Sequence, residues 1–494
     1  MSMRAPGVYV DEVASGTHLI AGVSTSVMAF IGITRTGGRE PVRVTSWKQF
    51  VDTFDGGSEY HQAKQQLLRL RQLLGDALTS AGTSQESPVA PSAAPGELPQ
   101  WPAPEWAQEV NLLLDQARQA VAKCVVLPDD LELPDPAMTA RKLEQALERM
   151  QQVLTDICWC VELFQSTALA VRGFFENGGS VCYVRNIDAD TYETAAEELG
   201  NALEDLADIR EISAVAAPCL WSLADWTVWS GEPEEPIATL LRLQQEVVTH
   251  CHTMGNRMAI LDTPPGLGPT ELEKAYREHI RFAPQELRYV ALYYPWLEVT
   301  DGGWEETVPP CGHVAGVWAR VDEERGVHKA PANEALLGVD GVQYELTGDL
   351  QGPLNAVGVN CVRKFPGYGP LLWGARTLDT SDTDWRYVNV RRLLSFLEES
   401  LVQGSQWVVF EPNDARLWSG IRRNITAFLA DQWRTGALQG KTPAQAFSVV
   451  CDENNNEPDS VLAGVVVCDI AVAPVRPAEF VHFRFSQRLG QAQT

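Results

Sequence analysis

Hydrophobic and polar positions along the chain change period several times. Residues 8–57 read as β-rich, in the runs "GVYVDEV", "STSVMAFIGIT" and "PVRVTSW" separated by Gly-rich turns. From about Ser58 to about residue 160 the period becomes helical. Leu67, Leu70 and Leu74 recur at helical spacing, then Val110, Leu113, Ala117 and Val121, then Leu143, Leu147, Met150, Leu154 and Ile157. Between the first two patterns, prolines at 88, 91, 95, 99, 102 and 104 exclude a helix or a central strand and predict an extended linker over 80–104. Residues 58–160 therefore read as an inserted helical module.

Beyond the insert, a helix over Ser166–Phe175 is predicted to stop at Asn177-Gly178-Gly179. The strand "SVCYVRNI" follows. Helical runs near 191–208, 237–252 and 270–280 then precede "EISAVAAP", "NRMAILDTP" and "LRYVALYYPWLEV". Apolar strands alternating with helices predict an α/β sheet buried on both faces. The last third is mixed. It holds a helix near 389–402, a strand "QWVVF", a helix near 414–433 capped by Asn413 or Asp414, and a short helix opening at Thr442-Pro443. The strands "AFSVVCD", "LAGVVVCDIAV" and "EFVHFRF" close it. The expected fold class is mixed α/β and α+β, with several domains.

Composition narrows the function classes. At 494 residues two to four domains are expected, and 45% apolar residues is a globular value. A net charge of −26 argues against nucleic-acid binding. No apolar run approaches the ~20 residues of a membrane helix. The start, "MSMRAPGVYVDEV", lacks a signal-peptide pattern, so synthesis in a cytoplasm is expected. Ten cysteines at irregular spacing, without a C-x-x-C pair, indicate no disulfide framework.

The candidate chemistry is thin. Cys311-Gly312-His313, with His328 nearby, could be a nucleophile and base or two metal ligands, but no second Cys/His pair at metal spacing accompanies them. The flanking Pro309-Pro310 and the small residues that follow predict a turn entering a helix. His250-Cys251-His252 would point in different directions on a helix. "RMAILDTPP" ends in Asp262 like a magnesium-holding strand, yet the chain has no G-x-x-x-x-G-K-[ST] loop, and Asp262 is expected to cap the Thr263-Pro-Pro turn. Neither G-x-S-x-G nor H-E-x-x-H occurs. No cofactor or metal is implied. An α/β hydrolase-like enzyme using Cys311 and His313 stays as the alternative reading.

The chain ends carry a different signal. In "PGVYVDEV", Val8 and Val10 share one face and Tyr9 and Asp11 the other. In "EFVHFRF", Val481, Phe483 and Phe485 share a face opposite His482 and Arg484. Such strands pair within their own fold or add to a neighbour's sheet. In addition, residues 385–450 carry eight basic residues against five acidic ones in an acidic chain. Arg391, Arg392, Arg416, Arg422, Arg423 and Arg434 are the candidates for a basic face toward an acidic partner. Internal ion pairing of Arg391 or Arg392 is the alternative.

These stretches resemble contractile tail sheath proteins of phages and phage-like injection systems. The likeness runs through "PGVYVDEV", "GVSTSVMAFIG", "FFENGGSVCYVRNI", "SAVAAP", "RMAILDTP" and "ALYYPWLEV". It continues through "VPPCGHVAGVWARVDEERGVHKAPANE", "LNAVGVNCVRKFPGYGPLLWGARTL", "WRYVNVRRLLSFLEESL", "QWVVFEPND" and "APVRPAEFVHFRF". It covers 1–57 and 161–486, and 58–160 departs from the pattern. The resemblance implies an N-terminal arm over 1–20, a sheath domain from 21–57 and 161–375, a tube-facing C-terminal domain over 376–478 and a C-terminal arm over 479–494. It further implies a non-enzymatic subunit stacked in rings, hexameric in the family, around an inner tube, with baseplate and terminator or cap proteins as partners. In the family Gly312–Glu324 is a structural helix packed through Ala315, Gly316 and Ala319, and Cys311 and His313 are incidental. Neither nucleic acid nor membrane insertion is implied, and the 58–160 module is expected to face outward.

Overall fold

The computed structural model of the chain describes residues 19–54, 164–187, 192–223, 235–279, 282–301 and 304–480. The arm positions Val8–Val10 and Val481–Phe485, the three helical patterns of 58–160 and the proline-rich linker lie outside the described residues. The chain divides into two compact units. The larger is 25–324 with 331–388, and the smaller combines 1–24, 325–330 and 389–494. Short pieces from near the N-terminus and the middle thus join the C-terminal unit, which takes in everything from Asn389 on.

In the larger unit, strands β1 (Met28–Gly32) and β2 (Val42–Val44) precede helix α1 (Trp47–Phe54). Helix α2 (164–176), β3 (Cys182–Asn186), α3 (Tyr192–Ala207), β4 (Ala214–Ala216), α4 (Glu235–Met254), β5 (Met258–Asp262) and α5 (Pro269–His279) follow. Then come β6 (Val290–Tyr294), β7 (Leu297–Asp301), β8 (Trp304–Val308), α6 (Cys311–Arg325), β9 (Glu334–Ala335), β10 (Gly341–Val342), α7 (Gly348–Ala356), β11 (Val359–Phe365) and β12 (Gly369–Trp373). Nine strands form one sheet in the order β2-β3-β1-β4-β5-β6-β11-β12-β9. The pairs from β3 through β1, β4, β5 and β6 to β11 are parallel, whereas β2, β12 and β9 add antiparallel edges. A smaller antiparallel sheet runs β10-β7-β8.

The central strands are mostly apolar and largely buried because both faces are covered. In β1 all five residues are buried, with Ala29 and Ile31 on one face and Met28 and Phe30 on the other. The first face packs against Leu199, Leu203 and Leu206 of α3 and Leu243, Val247 and Cys251 of α4, at the spacing that gives a helix one apolar stripe. The second packs against α1, α2 and α6. Helix α2 ends as expected. Gly178 adopts φ 105°, and the N–H of Gly179 returns to the carbonyl of Phe174 at 2.9 Å, a left-handed stop that glycine makes without strain.

In the smaller unit, α8 (Val388–Gly404, of this unit from Asn389 on), α9 (Ala415–Arg434) and α10 (Pro443–Ala446) lead to β13 (Phe447–Val450), α11 (Pro458–Leu462) and β14 (Asp469–Val472). Leu393 and Leu397 of α8 meet Leu417, Ile421, Ile425, Phe428 and Leu429 of α9 in its core. The carboxylate of Asp414 accepts the N–H groups of Arg416 and Leu417, each at 2.9 Å, which caps α9. The segment from residue 19 lies along α8, where the N–H of Val23 donates to Ser400 Oγ at 3.1 Å. Asn389 Nδ2 ties the unit together by donating to the carbonyls of His328 (2.8 Å) and Val475 (3.2 Å).

Three local expectations are corrected. Trp47–Phe54 is a helix within the segment read as β-rich. Ser46 Oγ accepts the N–H of Gln49, and Trp47, Phe50 and Phe54 form an apolar face. "QWVVF" is a 3-10 turn at Gln406–Val408 rather than a strand. Val409 and Phe410 project from it, with Phe410 fully exposed at φ 69°. Of "LAGVVVCDIAV", only Asp469–Val472 pairs.

Candidate functional site

Cys311 and His313 open α6, as the small-residue run predicts, and both are buried. The N-terminus of α6 leaves backbone donors without intrahelical partners. The carboxylate of Asp262, at the end of β5, fills that role by accepting the Cys311 N–H at 2.8 Å. Asp262 therefore caps a helix from a neighbouring strand instead of the Thr263 turn. Its backbone carbonyl accepts from Trp221 Nε1 (2.7 Å) and Gln244 Nε2 (3.0 Å). Burial raises the Asp262 carboxyl to about 7 against the lowering by its bond to Cys311.

The Cys311 thiol is pushed well above its ordinary value, first by burial and then by Asp262 beside it. His313 is depressed to about 4 by burial, with Arg172 adding to the effect. A nucleophile needs a thiolate and a base that accepts protons near neutrality. The pair supplies neither, and its two side chains leave the helix in different directions. His250 is likewise held down at about 4 by burial and Arg257, and His252 packs near Tyr289. Among the described residues no three His, Cys, Asp or Glu side chains form a metal-binding group.

What this stretch does is pack. A Cβ on Gly312 would stand 2.1 Å from the carbonyl oxygen of Ala170, and one on Gly316 would stand 2.4 Å from that of Phe174. Glycine at both positions lets α6 approach the backbone of α2. On α2, Gly173 answers by making room for the His313 ring, 2.4 Å from where its own Cβ would be. The sequence pattern pointed to Gly316 but not to Gly173, whose partner is distant in the chain.

The six arginines proposed for a basic face separate by environment. Arg391 and Arg392 are buried, which removes them from any such surface. Arg391 donates to Glu398 Oε2 at 2.9 Å and to Ser395, so internal pairing holds there. Arg422 is half-buried and lies 3.4 Å from Asp452. Arg416, Arg423 and Arg434 are exposed on α9. They stand seven and eleven residues apart, close to whole numbers of helical turns, so they share one outward stripe. Arg434 pairs with Asp431 on its own helix, whereas Arg416 and Arg423 make no ion pair with another described residue.

A second surface is the ribbon β13–β14, the one two-stranded sheet among the described residues. Val450 and Ile470 on it, Leu462 at the end of α11 and Val465 after it in the connection between its strands, and Phe480 beyond it are exposed apolar residues.

Two family models match the chain in order. "Phage tail sheath protein central domain" matches residues 236–378, and "Phage tail sheath C-terminal domain" matches residues 380–488. Among curated relatives, the tail sheath protein of Vibrio phage KVP40 is 28% identical over 36% of this chain and 26% of its own length. That of Burkholderia phage BcepMu is 30% identical over 38% of this chain and 41% of its own. The chain thus spans well under two thirds of these relatives. Solved structures are similar over nearly the whole of both chains. The helical sheath of the anti-feeding prophage in its contracted state has a TM-score of 0.59 at 23% identity, covering 99% of this chain and 100% of that one. The contracted sheath of the extracellular contractile injection system PVC has a TM-score of 0.60 at 22% identity, covering 99% of each. With central and C-terminal sheath domains matched in sequence across just over half its length, and the sheath fold found over nearly all of it, the chain belongs to the phage tail sheath family.

Proposed function

We propose that the chain is the structural sheath subunit of a contractile injection machine. It polymerises helically around an inner tube in a metastable extended state and shortens to drive the tube through a target envelope. The observation that carries this reading is the succession of the two sheath domains along one chain. The wall is built from head-to-tail contacts, which generate a helix rather than a closed dimer. Rings of six, a baseplate, a cap and assembly in a bacterial cytoplasm belong to the same reading. One of the similar structures is itself an anti-feeding prophage baseplate, symmetrised six-fold.

The terminal strands around Val8, Tyr9 and Val10 and around Val481, Phe483 and Phe485 reach neighbouring subunits, and the edges of β13–β14 receive them by strand addition. These interchain bonds keep the wall connected while the subunits move as rigid bodies. The α9 stripe of Arg416, Arg423 and Arg434 faces an acidic tube. The 58–160 segment projects outward, away from tube and contacts. The hydrolase reading has against it a buried thiol raised far above neutrality and a buried imidazole held at about 4.

The test is to mix the purified chain with the inner tube protein made alongside it and image the product by negative stain. Sheathed tubes are expected. Bare tubes beside dispersed chain, across a range of salt, would overturn the proposal.

A further inference from the structure

The ribbon β13–β14 carries two thiols that the sheath reading does not use. Its register runs from Phe447↔Val472 to Val450↔Asp469, so the next residues outward, Cys451 and Cys468, oppose each other at the end of the ladder. Side chains alternate along a strand, which places Cys451 on the side of Phe447 and Val449. Cys468 stands opposite, on the side of Ile470 and Val472, and both thiols border the core around Phe428 and Leu438. Both are free, Cys451 buried and Cys468 half-buried. Opposed strand residues hold their Cβ atoms about 4.5–5.5 Å apart, and a disulfide needs about 3.5–4.5 Å. Closure asks for a small inward shift.

The loop between the cysteines is already held shut without them. Asn456 accepts the Val467 N–H at 2.7 Å and donates to the Val467 carbonyl at 2.9 Å. Asn455 donates to the Val450 carbonyl (2.7 Å) and to Asp469 Oδ2 (3.0 Å), and accepts the Asp452 N–H at 3.0 Å. These bonds cross the loop on both sides of the thiols and involve neither sulfur. Asn455 and Asn456 therefore align the pair.

We propose that Cys451 and Cys468 are a redox site that closes into a disulfide when the folded chain meets a low-molecular-weight disulfide such as oxidised glutathione. The half-exposed Cys468 reacts first. Its thiolate attacks one sulfur of glutathione disulfide, and one glutathione leaves. The Cys451 thiolate then attacks the Cys468 sulfur of the mixed disulfide and expels the second glutathione. Two protein S–H bonds are lost and one S–S bond forms. Glutathione disulfide is reduced to two glutathione molecules, which take up the two protons. Burial raises Cys468 to about 12 and also raises Cys451. The thiolate fraction at neutrality is therefore small, and the reaction is slow there. A chain assembled in a reducing compartment keeps the pair open, and an oxidising surrounding closes it.

The test uses the full chain in its native state with oxidised glutathione at about pH 8. Remaining thiols are alkylated, and the unreduced protein is cut with a glutamate-specific protease and read by mass spectrometry. The expected product is a peptide pair joined through Cys451 and Cys468, about 2 Da lighter than the two reduced peptides together. It forms before any other cysteines join, at a rate rising about tenfold per pH unit below the thiol pKa. Cys468→Ser abolishes it. Arrest of Cys468 as a glutathione adduct, alkylation of both cysteines, or earlier linkage of another pair would overturn the proposal. No assembly is required, so this result and that of the sheath experiment stand apart.

Discussion

Gly312 carries the tightest approach in α6, because a methyl group there would enter the backbone of Ala170. Backbone cannot yield as a flexible side chain does. Gly312→Ala should therefore lower stability by about 1–3 kcal/mol, measured by urea unfolding, with Gly200→Ala as the control because its site is open. Equal stability of the two variants would mean that α2 and α6 can separate freely. Asp262 gives a second prediction at this scale. Its carboxyl binds a proton near pH 7 when folded and near 3.8 in the ordinary state. The folded chain thus holds an extra proton in between, and stability from this group falls as pH rises from 3.8 through about 7. His313 and His250 act in the opposite sense. They refuse a proton until about pH 4, against the ordinary 6.5, so stability falls as pH drops through that interval. Asp262→Asn keeps an oxygen acceptor for the Cys311 N–H but does not titrate. Relative to the natural chain it should gain stability as pH is raised from about 5 to about 8, and parallel stability–pH curves would contradict this.

At the scale of elements, the helices and the parallel strands were legible wherever periodicity alone decides them. The stretches Met28–Gly32, 258–261 and Val290–Tyr294 are apolar and buried because two faces are covered, and a single sequence records that. "QWVVF" has strand-forming residues but no strand to pair with, and β-propensity without a partner does not make a strand. Trp47–Phe54 carried a readable helix start, Ser46 with Gln49, which the surrounding β-like runs obscured. The basic stretch was visible as composition, yet counting charges cannot distinguish Arg391, buried beside Glu398, from Arg423 on the outer side of α9. The exposed stripe yields the prediction for this scale. Arg416→Glu with Arg423→Glu should leave the fold intact and lower the yield of extended sheath on tubes, most strongly at low salt, with the deficit shrinking as added salt screens the charges. Each reversed charge should cost about 1 kcal/mol per subunit, repeated along the wall. Contracted sheath, displaced from the tube, should form as before. Extended particles as abundant as the natural ones at low salt would show that this stripe faces elsewhere.

For the whole molecule, the sequence carried the family through many weak stretches in order, whereas the division into units came from three-dimensional contact. Residues 19–24 and 325–330 join the C-terminal unit, although each is far from it in the chain, and no local pattern encodes that. Removing residues 1–18 should leave both described units folded, since Val23 still bonds Ser400, while abolishing tubes that survive contraction. Intact contraction by the truncated chain would end the arm proposal. The most direct measurement is a helical reconstruction by electron cryomicroscopy of the chain assembled with its tube protein. The account predicts stacked rings around a tube, each subunit joined to its neighbours through added strands at β13–β14, with Arg416 and Arg423 toward the tube in the extended state. A chain that stays dispersed, or that forms closed oligomers without a tube inside, would contradict it.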